Sequence, residues 1–189
     1  MADRDDAVLD RLREEADPHR RRLLVLGLLT RRLAEHDIEP VLVGGGALEF
    51  YTAGGYATKD TDLALPATPE VDTAFAELGF TKEGRYWVHP DLDLLFEAPA
   101  PAGLPGEDAP RTEVEVDGLR VVILGIEDLL IDRLRAWVHW KSEEDGRWAR
   151  RLALLHVDRI DWRYMRERTQ DVPEEAHGLA EIEQEACPS

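Results

Sequence analysis

Val41-Leu42-Val43-Gly44-Gly45-Gly46-Ala47-Leu48, followed by Ala57-Thr58-Lys59-Asp60-Thr61-Asp62-Leu63, is the stretch on which the reading of this chain turns. Three apolar residues stopping at three glycines read as a short buried strand and a tight turn into a helix. Glycine lets a backbone approach a phosphate and adopt positive φ. The helix that follows would point its first N–H groups and a partial positive charge at the same place. Gly44, Gly45 and Gly46 are therefore candidate phosphate contacts, with Lys59 a further candidate.

Asp60 to Leu65 reads as the next strand, closed by Pro66. Residues two apart on a strand share a face, so Asp60 and Asp62 project together while Thr61, Leu63 and Leu65 project the other way. Two parallel carboxylates repel each other, and a divalent cation relieves the repulsion; hard oxygen ligands suit Mg2+, or Mn2+ in its place. Leu92-Asp93-Leu94-Leu95-Phe96 is apolar except for one acid. A charge in a buried strand needs a partner, and placing this strand beside Asp60–Leu65 brings Asp93 to the pair. Asp91 is the alternative third acid.

Working outward, residues 5–17 read as a surface helix and 19–36 as a stronger one, with Leu23, Leu26, Leu29 and Leu33 at helical spacing. Pro69 to Leu78 forms a helix capped by Gly79. Phe80, Tyr86-Trp87-Val88 and Leu92 to Phe96 read as strands, and 98–110 as a loop. Asp117-Gly118 between two apolar runs, Glu113–Val116 and Leu119–Leu124, marks a hairpin. Helices follow at Ile126–Trp140, Arg147–His156 and Trp162–Arg168. The acidic tail from Asp171 is expected to be disordered. The expected organisation is N-terminal helices at 1–38, a core at 39–125, a helical part at 126–170 and an unstructured tail at 171–189. The fold class is α/β (α+β): a small mixed sheet with helices packed on it and a C-terminal helical cap.

Composition narrows the classes of partner. The 189 residues carry 40 acids against 23 bases, a net charge of −17. Lysine occurs only at Lys59, Lys82 and Lys141. Such a surface repels nucleic acid and anionic lipid, so nucleic-acid binding and membrane association are not expected. The acid-rich, lysine-poor balance is that of proteins hydrated in concentrated salt. A single cysteine, Cys187, excludes an intramolecular disulfide, and the charged start lacks a signal-peptide core; a soluble cytoplasmic protein is expected. His89 reads as a surface histidine. His139 and Lys141 read as cations at a helix C-terminus. Trp137, Trp140, Trp148 and Trp162 read as core or as a partner surface.

The glycine turn and Asp60-Thr61-Asp62 together resemble the minimal nucleotidyltransferases of the DNA polymerase β-like superfamily. Their pattern is an apolar strand, two glycines or Gly-Ser, a helix, Asp-x-Asp, and a third acid on a later strand. The Gly-Gly-x-Ala-Leu and Thr-Lys-Asp-x-Asp-Leu forms, with Ile126–Leu134, are similar to the branch related to toxin–antitoxin and abortive-infection systems. The resemblance covers residues 40–168. It implies a nucleotidyltransferase fold, with Gly44–Gly46 holding the triphosphate, Asp60 and Asp62 binding Mg2+, and Asp93 ligating an ion and helping to deprotonate a hydroxyl acceptor. It also implies a small helical partner protein, which the chain would modify or, in the alternative reading, neutralise by contact without much catalysis.

Overall fold

The computed structural model describes residues 11–98 and 109–188. The chain divides into two compact units, one built from residues 1–104 and 112–123, the other from 105–111 and 124–189.

The first unit is organised around a seven-stranded mixed sheet. Its strands are β1 (Val41–Leu42), β2 (Asp60–Ala64), β3 (Thr81–Glu83), β4 (Tyr86–His89), β5 (Leu94–Glu97), β6 (Arg111–Val116) and β7 (Leu119–Leu124), in the order β3-β4-β5-β2-β1-β7-β6. β2 runs parallel to β5, and β1 parallel to β7, while β1–β2, β3–β4 and β4–β5 are antiparallel. The β6–β7 hairpin turns at Asp117-Gly118, both at positive φ (52° and 76°), as a tight two-residue turn requires.

Three helices of this unit stand on one face of the sheet. α1 (Pro18–Leu33) starts at Pro18 behind an Asp17 N-cap, whose side chain accepts from the His19 amide. It packs so closely that a Cβ on Gly27 would lie 2.6 Å from Leu119 Cβ. α2 (Gly44–Tyr51) rests Gly46 on Leu42. α3 (Pro69–Glu77) stacks Phe75 on Trp87 at 4.4 Å and sets it against Phe80 and Phe96. The opposite face of β2 and β5 carries Asp60, Asp62, Leu95 and Glu97, all exposed or half-buried.

Of residues 5–17, only 11–17 lie in the described range. Residues 11–14 are helical, with Leu12 fully buried between exposed neighbours. The loop expected at 98–110 lies mostly outside the described residues.

The second unit is helical: α4 (Ile126–Trp140), α5 (Glu143–Leu155), α6 (Trp162–Thr169) and α7 (Pro173–Ala186). α5 begins four residues before the expected Arg147. Ser142 caps it by accepting from the Asp145 amide, and Gly146 is a close-approach point, where an added Cβ would lie 2.7 Å from the Trp137 ring. The expected disordered tail is instead α7. Leu179, Ile182 and Ala186 bury one stripe of it, and Gly178 lets it approach Leu134 and Trp137. Glu175, buried, ties α7 to α4 by accepting from Arg135 Nε at 3.0 Å and bonding His139 Nε2 at 2.8 Å.

Two consequences can be measured. Gly27→Ala gains helix propensity but forces a methyl into Leu119, so it should destabilise by about 1–2 kcal/mol, read as a lowered denaturation midpoint. Burial opposes the Glu175 charge, but the His139 and Arg135 hydrogen bonds prevail and hold its pKa below the usual 4.5. Its contribution is therefore complete above pH 4.5 and is lost as pH falls through the folded value. Glu175→Gln should cost about 1–2 kcal/mol at pH 7, and urea melts should show the difference closing in acid.

Candidate active site

The register of β2 on β5 decides which acids meet. Asp60 lies opposite Leu95, Thr61 opposite Phe96 and Asp62 opposite Glu97. In-register neighbours in a parallel pair share a face, so Asp62 and Glu97 stand side by side with Asp60 next along the strand. The expected adjacency of the two strands is therefore found, but the acid it brings to Asp62 is Glu97. Sequence reasoning passed over this residue because it ends the strand at the edge of the loop.

Asp93 is not in β5. The chain enters the strand through a 3₁₀ turn at Pro90–Leu92, and Asp93 caps it in the left-handed region at φ 51°. It lies two residues before Leu95, the partner of Asp60, and so falls below the Asp60–Asp62 rail. Asp91 is in the 3₁₀ turn, further still from Asp62. His89, expected at the surface, is buried and edge-on to Phe80 at 5.0 Å; burial lowers its pKa, so it is a neutral core residue.

The glycine turn abuts this rail. Gly44 opens α2 at φ +57°, and a Cβ there would collide with the Asp62 carboxylate, whose Cγ would be 3.1 Å away. A Cβ on Gly45 would come within 3.2 Å of the Thr58 side chain, and Gly46 packs on Leu42. Gly44 therefore borders Asp62, Gly45 borders the loop just before Asp60, and Gly46 is a packing position. Tyr86, opposite Glu97 on β4, and Arg85 complete this face. Arg85 Nε lies 3.1 Å from Glu97 Oε1 and its Nη2 donates to Tyr86 Oη at 2.7 Å, which raises the guanidinium pKa further.

A buried polar cluster supports the strand from the helix side. Arg22 donates to Thr58 O at 2.7 Å and pairs with Glu49, both side chains under a tenth exposed. His19 Nδ1 lies 3.7 Å from Glu49 Oε2. Burial lowers the His19 pKa, against the pull of Glu49 and with the push of Arg22. These residues, Lys59, Asp60 and Asp93 line a cavity of about 570 Å³, together with Val88, His89, Pro90, Leu94 and Leu95.

The fit to a divalent cation follows from the donor chemistry. Among the described residues no three His, Cys, Asp or Glu groups converge tightly enough to cage an ion. Mg2+ does not require such a cage; it is commonly held by one or two carboxylates together with waters and substrate phosphates. Asp60 and Asp62 on one face meet that requirement, with Glu97 alongside.

No family model matches the chain, and no curated protein matches its sequence. Its fold matches the crystal structure of an antigenic nucleotidyltransferase-like protein from Paracoccidioides brasiliensis, with a TM-score of 0.51, 15% identity, and coverage of 87% of this chain and 93% of that one. A solution structure of the antibiotic-resistance factor ANT(2'')-Ia gives a TM-score of 0.43 at 16% identity, over 82% of this chain and 97% of that one. A crystal structure of ANT(2'')-Ia in complex with adenylyl-2''-tobramycin gives 0.44 at 18%, over 78% and 98%. No helix among the described residues is long and apolar enough to cross a membrane.

Gly44→Ala tests the junction of turn and rail. A methyl at positive φ, driven into Asp62, should cost about 1–3 kcal/mol, measured by chemical denaturation. The match to the Paracoccidioides structure, with the order of strands that sets the acids beside the glycine turn, gives this chain the nucleotidyltransferase fold.

Proposed function

We propose that the chain transfers a nucleoside monophosphate from a nucleoside triphosphate to a hydroxyl acceptor. The observation that carries this is the β2/β5 register, which sets three carboxylates, Asp60, Asp62 and Glu97, on one face beside the Gly44 turn. Gly44 and Gly45 offer backbone amides to the phosphates. Asp60 and Asp62 hold Mg2+, which when bound neutralises charge on the attacking and leaving oxygens. Glu97 takes the ion-ligating part that the sequence assigns to Asp93, with Arg85 balancing its charge when no substrate is present. Lys59, at the start of the rail, is a further phosphate contact.

A partner-binding role in a toxin–antitoxin pair is favoured by a separate observation in the helical unit. Trp140 is 78% exposed, and Leu154 and Leu155 are more than half exposed. The two roles are compatible, because the carboxylates and these apolar residues belong to different units.

Thermal melting with ATP, GTP, CTP and UTP, with and without Mg2+, tests the enzymatic reading. A nucleotide at about 100 times its Kd stabilises the native state by about 2.7 kcal/mol, which appears as a magnesium-dependent rise in Tm. Asp62→Asn and Glu97→Gln should lose that rise, and Asp93→Asn should keep it. A rise that survives in Asp62→Asn, or that no nucleotide produces in the wild type, sinks the assignment.

A further inference from the structure

The cavity beside Asp60 adjoins the proposed triphosphate site, with Lys59 and Asp60 on the boundary between them. It lies at the lower edge of the sheet. Asp60 is on one wall, the first turn of α1 and Glu49 of α2 on another, and an apolar floor comes from β4 and β5. At about 570 Å³ it has the size of a small-molecule site, with apolar walls and a few placed polar groups. We infer that this cavity holds a small hydroxyl-bearing acceptor and that His19 receives the acceptor's proton during transfer. This rests on the nucleotidyl transfer proposed above and names its acceptor class and its base.

The geometry that supports it is the setting of the His19 ring. Nδ1 is turned toward Glu49, which Arg22 holds in place from inside the fold. Nε2 lies on the other side of the ring and has no hydrogen-bond partner among the described residues. His19 and Asp60 line the same cavity, so one compartment offers a bound hydroxyl both a nitrogen base and the first acid of the rail. Glu49 is a positioning residue: it favours the tautomer with the proton on Nδ1 and the lone pair on Nε2. The charged groups acting on the ring are Glu49 and Arg22 from the buried cluster and Asp17 from the helix cap, and Lys59, Asp60, His89 and Asp93 face the same cavity. Burial outweighs the two acids, so His19 is neutral at pH 7 and able to take a proton. In the step itself the acceptor oxygen attacks the α-phosphorus. The new P–O bond forms as the bond to pyrophosphate breaks, pyrophosphate leaves with the bridging electron pair, and the acceptor proton passes to Nε2.

The experiment uses the full chain, Mg2+ and an α-labelled nucleoside triphosphate, with water and molar glycerol as the acceptors. The products read are the nucleoside monophosphate and its glycerol ester. His19→Gln and His19→Ala should keep the magnesium- and nucleotide-dependent rise in Tm and lose about 100-fold or more in product formation. The wild-type rate should fall in acid through a pKa below 6.5, and that limb should vanish in the variants. Added imidazole should restore His19→Ala, which a purely structural role for His19 would not allow. Product formation in His19→Gln within threefold of wild type, or an acid limb that persists there, overturns the inference and leaves nucleotide transfer standing. A wild type that binds magnesium nucleotide yet makes neither product also overturns it. A wild type that binds no nucleotide removes the parent reading, and this inference with it.

Discussion

The buried Arg22 guanidinium is the interaction on which the site depends. It comes from the first turns of α1, pairs with Glu49 on α2, and donates to the carbonyl of Thr58, two residues before Asp60. Two helices and the entry to β2 are thereby tied to one planar group. Arginine suits this task because its fork serves two acceptors at fixed angles and stays charged when desolvated. Taking such a pair out of water costs several kcal/mol per ion before the partners compensate. Its value is therefore one of geometry rather than of net stability: it fixes the carbonyl of Thr58 and the carboxylate of Glu49 against the same helix.

The same reasoning explains why a chain with three lysines relies on arginine for its cross-links. Arg11 and Arg20 both reach Asp117 in the hairpin turn, and Arg120 bridges Glu39 and Glu113. At the surface each pair contributes little by itself. Against a net charge of −17, however, each also removes a local repulsion between acids that would otherwise oppose compaction.

The sequence was legible wherever the signal was local. The glycine turn, the shared face of Asp60 and Asp62, the Asp117-Gly118 hairpin and the bounds of α4 follow from turn chemistry and periodicity, and the structure carries each of them. The third acid was not legible, for a physical reason. Alternation gives the parity of a strand, and Asp93, Leu95 and Glu97 do share one parity. It does not give the register of a parallel pair whose strands are joined through a long connection. Pro90 was the available clue: it begins a 3₁₀ turn that keeps Asp93 out of the ladder. α7 was hidden by the acidic background. Leu179, Ile182 and Ala186 keep helical spacing, and Pro173 stands at the first helical position, but the surrounding glutamates read as solvated chain.

The place of Asp62 against Gly44 bears on how a triphosphate could enter. The carboxylate occupies the approach to the first turn of α2, where the backbone dipoles favour negative charge. It is accommodated there because glycine leaves room and tolerates the positive φ. A bare triphosphate directed to the same amides would meet the carboxylate's charge at close range, in a protein already strongly acidic. A triphosphate carrying its own divalent cation presents Asp62 with an opposite charge instead, and the carboxylate becomes a ligand where it had been an obstacle. On the proposed function, the glycine turn and the acid rail would act as one electrostatic unit, admitting the anion only together with its cation.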